Sequence, residues 1–120
     1  MERAIPHLPA DDLRVAKAFY VDRLGFQVRF EATEDGVTGI LGLERGGLCV
    51  TIDAPMPGHG REVCVSLEVE NVDRYHVEWS ARVRVLRAPI DEPWGARTFD
   101  LIDPFGNTLF VMGPLAPPIA

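Results

Sequence analysis

The segment Pro93–Met112, PWGARTFDLIDPFGNTLFVM, decides the fold that we predict for this chain. Asp103, Pro104 and Gly106 stand at the first, second and fourth positions of a predicted type I turn. An apolar-rich run lies on each side of this turn. The segment is therefore typical of a β-hairpin.

The two runs of the hairpin alternate in polarity along the chain. Their odd-numbered positions are mainly large and apolar, whereas their even-numbered positions are mixed. The apolar set is Phe99, Leu101, Leu109 and Val111, and the mixed set is Thr98, Asp100, Ile102, Thr108, Phe110 and Met112. Because successive side chains point to opposite faces of a strand, we predict a sheet with an apolar back that packs on a helix. Its mixed front can receive a ligand.

Length and composition restrict the class of protein. The 120 residues are 47% hydrophobic and 25% charged, which is typical of a soluble domain or of two small repeats that share a core. The net charge of −6 argues against nucleic-acid binding and weakly favours a cationic ligand. We find no apolar run near the roughly 20 residues of a membrane helix and no signal-peptide block. If the sequence is complete, we expect a cytoplasmic protein whose two cysteines stay reduced.

The same order of elements is predicted twice along the chain. The first half predicts a strand, a helix capped by Asp11 or Asp12, and three strands, at residues 4–8, 13–24, 26–31, 37–43 and 48–52. The second half predicts a strand, a helix capped by Asn71, a short strand and the hairpin, at residues 63–69, 72–79, 83–86 and 97–112. A loop with two prolines, at residues 88–95, precedes the hairpin.

Three finer features of the first half are also predicted. The apolar side chains of the helix fall on one stripe, which comprises Leu13, Ala16, Tyr20 and Leu24. In the strand that follows, polar residues alternate with Phe26, Val28 and Phe30. A turn at Glu34-Asp35-Gly36 leads into the next strand.

This repeat predicts an α+β fold of two βαβββ modules. The modules span about 1–54 and 61–113, a Pro/Gly-rich linker spans 55–60, and together they form one domain over 1–120. One helix can cover the back of each sheet, so the fronts are left to form a curved, partly open cleft. Four-stranded units with exposed edges also favour a homodimer.

Several short motifs carry a resemblance to a known family. They are Asp12-Leu13, Ala18-Phe19-Tyr20, Leu24-Gly25-Phe26 and Asp103-Pro104-x-Gly106-Asn107. In order and spacing they resemble the vicinal-oxygen-chelate superfamily of glyoxalases, fosfomycin resistance enzymes, extradiol dioxygenases and bleomycin resistance proteins. Three more motifs look most like the bleomycin-resistance branch: Ala4-x-Pro6-x-Leu8, Tyr75-His76-x-Glu78-Trp79 and Gly95-x-Arg97-x-Phe99. The resemblance covers nearly the whole chain and implies the glyoxalase/bleomycin-resistance fold.

The resemblance also implies where the enzymes of this superfamily hold a divalent metal. The three ligand positions correspond here to Ile5, Cys64 and Phe110. Isoleucine and phenylalanine have no ligand atom, and one cysteine does not hold a metal alone. We therefore expect no standard metal site and no cofactor. A rearranged ligand set stays open as an alternative, and its members are His7, Cys64, Glu68 and Asp100.

If the mixed front of the predicted sheets holds no metal, we expect it to bind an organic ligand. The predicted ligand-binding residues are Trp94, Phe110, Asp100, His7, Cys64, Ser66, Glu68, Thr98 and Met112. Trp94 could stack on an aromatic ring of the ligand, and Glu68 and Asp100 could offset a cation. Core packing for Trp94 and Phe110, and a neighbouring arginine such as Arg97 as the partner of Asp100, stay open as alternatives.

The resulting hypothesis is a binding protein with no catalytic residue. It would sequester an aromatic, cationic antibiotic of the bleomycin type, and the resemblance implies that the clefts form between the subunits of a homodimer. Two alternatives stay open. One is a metal-dependent glyoxalase-like lyase or dioxygenase with a non-standard ligand set, and the other is a binding module for another small metabolite.

Overall fold

The computed structural model describes residues 2–55 and 62–116, and its elements form an α+β fold. The described residues form eight strands, at His7–Pro9 (β1), Gln27–Ala32 (β2), Gly39–Arg45 (β3), Leu48–Ala54 (β4), Cys64–Glu68 (β5), Ile90–Asp91 (β6), Arg97–Ile102 (β7) and Thr108–Gly113 (β8). The two helices are Leu13–Lys17 (α1), which continues as a π-helix over Ala18–Arg23, and Val72–Ser80 (α2). No helix among these residues is long and apolar enough to span a membrane.

The chain divides into two compact units that have the same internal topology. Unit 1 comprises Met1–Val63 and Asp103–Asn107, and unit 2 comprises Cys64–Ile102 and Thr108–Ala120. The strand order is β1-β4-β3-β2 in the first sheet and β5-β8-β7-β6 in the second. In each sheet the first strand is parallel to its neighbour and the other pairs are antiparallel. The two predicted βαβββ modules are therefore confirmed. Of the predicted linker, only Pro55 lies within the described residues.

The helix of unit 1 begins and packs as its sequence predicts. The Asp12 side chain accepts a hydrogen bond from the Arg14 N–H at 2.8 Å, which caps the first turn. The helix packs against β3 and β4. Its predicted stripe of apolar side chains is fully buried, at Leu13, Ala16, Tyr20 and Leu24. Gly25 then takes a positive φ of 79°, a conformation that favours glycine and ends the helix.

The alternation of strand β2 differs from the prediction because the strand contains a β-bulge. Val28 pairs with Leu43 on the buried back of the sheet, whereas Phe30 pairs with Gly42 on the opposite face. The residue between them, Arg29, has no partner in the register, so the alternation shifts by one position. Phe30 therefore lies on the front of this sheet and not on the same face as Val28, as a strict period of two would require.

The back of the second sheet is packed against α2, as the odd-numbered positions predict. Asn71 caps this helix by accepting a hydrogen bond from the Arg74 N–H at 3.1 Å. The His76 and Phe99 rings meet edge to face with their centroids 5.2 Å apart. The four apolar positions of the hairpin are all completely buried: Phe99, Leu101, Leu109 and Val111.

The predicted strand over 83–86 is wrong, and the fourth strand of unit 2 lies instead in the predicted loop. The N–H groups of Arg82 and Val83 still donate to the Trp79 carbonyl, so helix α2 uses this part of the chain for its last turn. Val85 forms an isolated bridge to Leu101 on β7. The strand itself is Ile90–Asp91, which follows Pro89 and pairs with Thr98 and Arg97.

The turn after β7 is organised by one buried carboxylate. Asp103 Oδ1 accepts hydrogen bonds from the N–H groups of Phe105 and Asn107, both at 2.9 Å. Asp103 Oδ2 accepts from the Tyr20 hydroxyl at 2.7 Å and from Asn107 Nδ2 at 2.9 Å. The Asn107 amide also donates to the Pro9 carbonyl and accepts from the Val63 N–H. The predicted turn is confirmed, and burial together with the adjacent Asp103 raises the pKa of Tyr20 well above its ordinary value.

Substitutions at Tyr20 and Asn107 test this network. In Tyr20→Phe, Asp103 keeps three of its four donors, so we expect the free energy of unfolding to fall by about 1–3 kcal/mol. In Asn107→Asp at pH 7, the amide donors are lost and a second carboxylate faces Asp103. We expect a larger loss there. Urea unfolding followed by circular dichroism measures both, and equal losses would contradict the network.

The predicted turn at Glu34, Asp35 and Gly36 also depends on a carboxylate. Asp35 Oδ1 accepts from the N–H groups of Thr38 and Val37 at 2.8 and 2.9 Å. These hydrogen bonds lower the pKa of Asp35 from 3.8 to about 2. The ionised form is therefore favoured in the folded chain.

The lowered pKa of Asp35 predicts a pH-dependent contribution to stability. A carboxyl whose pKa is lower in the folded than in the unfolded chain stabilises fully above the unfolded value, and this contribution is lost as the pH falls through the folded value. We expect wild type to be more stable than Asp35→Asn at pH 5, and the difference to shrink between about pH 4 and pH 2. Thermal unfolding of both proteins across that range measures it. A constant difference would contradict the prediction.

Candidate functional site

The front of the second sheet is a continuous face built by the register of three strands. Cys64, Thr108 and Ile102 form one row, Ser66, Phe110 and Asp100 the next, and Glu68, Met112 and Thr98 the third. These nine residues are called the front face below. Because paired residues lie on the same side of a sheet, the even-numbered positions predicted from the sequence do share one face.

Exposure differs sharply across the front face. Cys64, Ser66 and Glu68 on β5 are exposed, and Ile102 is 44% exposed. Phe110 and Met112 are partly buried, so the chain covers only part of each side chain. Thr98 is completely buried. A molecule on this face could therefore contact apolar and polar groups together but has no access to Thr98.

Asp100 is paired with an arginine that the sequence analysis did not name. Arg87 Nε lies 3.0 Å from Asp100 Oδ1, whereas Arg97 pairs with Asp73 and Asp91. The Arg87 N–H is not directed at that oxygen, which accepts no hydrogen bond from the described residues. The attraction between the two side chains is therefore ionic. A neighbouring arginine is the partner of Asp100, as one alternative predicted, but it is Arg87 and not Arg97.

Trp94 lies at the tip of the β6–β7 hairpin. The loop is closed by hydrogen bonds from the Glu92 N–H to the Ala96 carbonyl at 2.7 Å and from the Gly95 N–H to the Glu92 carbonyl at 3.0 Å. The ring is 59% exposed. Trp94 therefore does not plug the core, and its indole offers an open aromatic surface.

The front of the first sheet places two further side chains in one row. His7 pairs with Thr51, Thr51 with Gly42, and Gly42 with Phe30. The Phe30 ring lies over Gly42, where a side chain would overlap it, and remains 45% exposed. The His7 Nδ1 atom lies 3.7 Å from Asp53 Oδ2. His7 was predicted at the site but Phe30 was not, because only the bulge turns Phe30 to this side.

Comparison with known proteins identifies the family. Residues 1–113 match the family described as glyoxalase superfamily protein. The chain belongs to the glyoxalase superfamily. This confirms the predicted relationship. No curated protein sequence matches the chain significantly.

Solved structures of several other proteins share the fold over almost the whole chain. A bleomycin-binding protein complexed with bleomycin is 25% identical with a TM-score of 0.79, covering 96% of this chain and 100% of that one. The bleomycin-binding protein of Streptomyces verticillus, complexed with copper(II)-bleomycin, is 26% identical with a TM-score of 0.77, covering 96% and 98%. A lactoylglutathione lyase from Agrobacterium tumefaciens is 21% identical with a TM-score of 0.74, covering 94% of each chain, and shows the fold alone.

The residues at the metal positions that the resemblance implies do not fit a metal. Phe110 lies between Ser66 and Asp100 on the front face, and neither its ring nor the Ile5 side chain has a donor atom. Cys64 is a free thiol in the row of Thr108 and Ile102. Within residues 2–55 and 62–116, no three His, Cys, Asp or Glu side chains are grouped so that they could hold a metal ion. The rearranged ligand set is therefore not assembled.

The bulge makes a testable prediction about Phe30. Because its ring is half-exposed over Gly42, we expect Phe30→Ala to lower the free energy of unfolding by only about 1–1.5 kcal/mol. The matched control is Phe99→Ala in the buried back of the second sheet, for which we expect about 3–5 kcal/mol. Denaturant unfolding measures both. Losses of similar size would place Phe30 in the core and contradict the bulge.

Proposed function

We propose that this member of the glyoxalase superfamily binds and sequesters an aromatic, cationic antibiotic of the bleomycin type. The observation that carries the proposal is the open front face, where Phe110 and Met112 are only partly covered beside the carboxylates of Glu68 and Asp100. Apolar surface with a few fixed polar groups is what small-molecule sites offer. The similarity to bleomycin-binding proteins of 25% and 26% identity supports the choice of ligand.

Aromatic surface supports the choice of a ligand with planar rings. Trp94 at the tip of the β6–β7 hairpin is 59% exposed, so its indole face is open to a planar ring. Stacking on such a ring contributes about 0.5–1.5 kcal/mol beyond the burial of its area. The Trp94 ring could thus supply part of the affinity for a planar ligand.

The charges on and beside the front face support the choice of a cation. Glu68 is exposed, and no cation among the described residues pairs with it. Asp100 and Glu92 lie within 3.9 Å of the single positive charge of Arg87, so this group carries one net negative charge. Together with the chain's net charge of −6, this attracts cations and repels anions.

The proposed mechanism is stoichiometric binding, in which no bond of the ligand is made or broken. Hydrocarbon side chains stand at two of the three positions where the superfamily holds its metal, Ile5 and Phe110. Neither residue can activate a ligand, but Phe110 can contact one. Protection of the cell would then depend on affinity and on the amount of protein, and the binding needs no cofactor.

The proposal includes one domain over 1–120, a homodimer and a cytoplasmic location. Strands β5 and β6 are the edges of the second sheet, and each pairs with only one other described strand. Such edges favour pairing with a second copy of the chain. A drug that acts inside the cell would have to be bound there, which is why the cytoplasm is proposed.

Titration with bleomycin tests the proposal. Trp79 is completely buried, so a change in tryptophan fluorescence on binding reports mainly on Trp94. We expect saturable binding with a submicromolar dissociation constant. Trp94→Ala should weaken it about tenfold, the equivalent of roughly 1.4 kcal/mol. The matched control is Val77→Ala, at a residue that is 70% exposed on helix α2 and should leave the affinity unchanged.

Two outcomes would overturn the proposal. One is the absence of binding to metal-free and copper-loaded bleomycin in isothermal titration calorimetry with folded protein. The other is about one equivalent of zinc, iron, nickel or manganese in protein purified without chelator, together with turnover that a chelator abolishes. That second result would favour the lyase or dioxygenase alternative.

A further inference from the structure

Trp94 is exposed on a loop that has little backbone structure of its own. Strand β6 has two residues, Ile90–Asp91, which pair with Thr98 and Arg97. Beyond this pairing, two hydrogen bonds within residues 92–96 close the loop. A hairpin of this length is marginal without further support. The orientation of the indole therefore depends on side chains that hold the base of the loop.

One set of side chains holds the loop from the front of the sheet. The Thr98 hydroxyl donates to Glu92 Oε1 at 2.9 Å and accepts from Arg87 Nη2 at 2.9 Å. Arg87 Nη1 donates to the Thr98 carbonyl at 2.7 Å, and its Nη2 lies 3.9 Å from Glu92 Oε1. Thr98 is completely buried. Arg87, Thr98 and Glu92 are called the inner anchor below.

A second set holds the loop from the back of the sheet. Arg97 Nη1 donates to Asp91 Oδ1 at 3.2 Å, and Arg97 Nε donates to Asp73 Oδ1 at 3.0 Å. Asp73 lies in the first turn of helix α2, so the contact joins the hairpin to the helix that covers the sheet. Arg97, Asp91 and Asp73 are called the outer anchor below.

The two anchors act on adjacent residues and from opposite sides. Asp91 and Glu92 are the last two residues before Pro93 and Trp94, and they are held by Arg97 and Thr98, which are adjacent on β7. Since successive side chains of a strand point to opposite faces, this pairing fixes the hairpin against rotation in either direction. Exposed ion pairs contribute little to stability alone. In the inner anchor, however, Arg87 and Glu92 are partly shielded from water and both bond to the buried Thr98 hydroxyl.

We infer that Thr98 and Arg97 are positioning residues that hold the Trp94 indole in its binding orientation before a ligand arrives. This inference rests on the proposed function, because an ordered indole is useful only if a ligand binds to it. A ring that is already ordered does not have to be immobilised when the ligand binds. It assigns Thr98 a role through Glu92 and not through the ligand, in keeping with its complete burial.

Time-resolved fluorescence anisotropy of the ligand-free protein tests the inference. Of the two tryptophans, Trp79 is buried and Trp94 is exposed, so fast depolarisation and quenching by acrylamide report on Trp94. In Thr98→Val, the isosteric change removes the hydroxyl that Glu92 and Arg87 share. We expect the amplitude of the nanosecond depolarisation to rise at least about twofold, and bleomycin affinity to fall about three- to tenfold.

Matched variants separate positioning from a general loss of stability. Thr98→Ser keeps the hydroxyl and should restore the wild-type anisotropy. Thr51→Val makes the same change at another buried threonine, in unit 1, and should leave the anisotropy unchanged. Arg97→Met removes the outer anchor and should loosen Trp94 independently. If Thr98→Val does not fold, Glu92→Met, at a partly exposed position, breaks the same anchor.

The outcomes distinguish this inference from the proposed function. The inference would be overturned if Trp94 anisotropy were unchanged both in an inner-anchor variant that folds, Thr98→Val or Glu92→Met, and in Arg97→Met. This holds even if wild type binds bleomycin. Increased Trp94 motion in these variants, in a protein that does not bind bleomycin, would support the positioning role and overturn the proposed ligand.

Discussion

The rest of the structure depends on the burial of one carboxylate, that of Asp103. A buried carboxylate is costly unless its oxygens are hydrogen-bonded, and here four donors surround it, from Tyr20, Phe105 and two groups of Asn107. The turn that joins β7 to β8 can therefore take one conformation. Turn geometry sets the register of a hairpin, and a slip of one residue would exchange its two faces. The hydrogen bonds to Asp103 thus help to determine which residues of the hairpin lie on the front face.

Much of the fold could be predicted because it follows from two simple periodicities of apolar residues, that of the α-helix and that of the β-strand. The odd-numbered apolar positions of the last hairpin, the helix stripes and the capping residues Asp12 and Asn71 all appear where the sequence places them. The errors arise where tertiary contacts override a local pattern. A bulge of one residue turns Phe30 to the other face. The two-residue strand Ile90–Asp91 is too short to leave a pattern of its own.

The candidate site was only partly predictable for a related reason. Alternation along β5, β7 and β8 is enough to group the front-face residues, but it says nothing about residues that reach this face from a loop. Arg87 belongs to no strand, and its contacts with Thr98, Asp100 and Glu92 depend on how the segment before β6 lies beside β7. Alternation along the strand suggested a ligand contact for Thr98, whereas in the structure its hydroxyl is hydrogen-bonded to Glu92 and Arg87.

These features connect the fold to the kind of function that it supports best. An enzyme must release its product, so a ring that moves freely at the mouth of its site carries little penalty. A protein that protects by sequestration has the opposite requirement, because it succeeds only while the ligand stays bound, and most differences in affinity between related complexes lie in the rate of dissociation. On the proposed function, holding Trp94 from both sides of a short hairpin removes an ordering cost from every binding event. The charged residues around β6 would then increase the affinity for the ligand by positioning Trp94, although none of them has to contact the ligand.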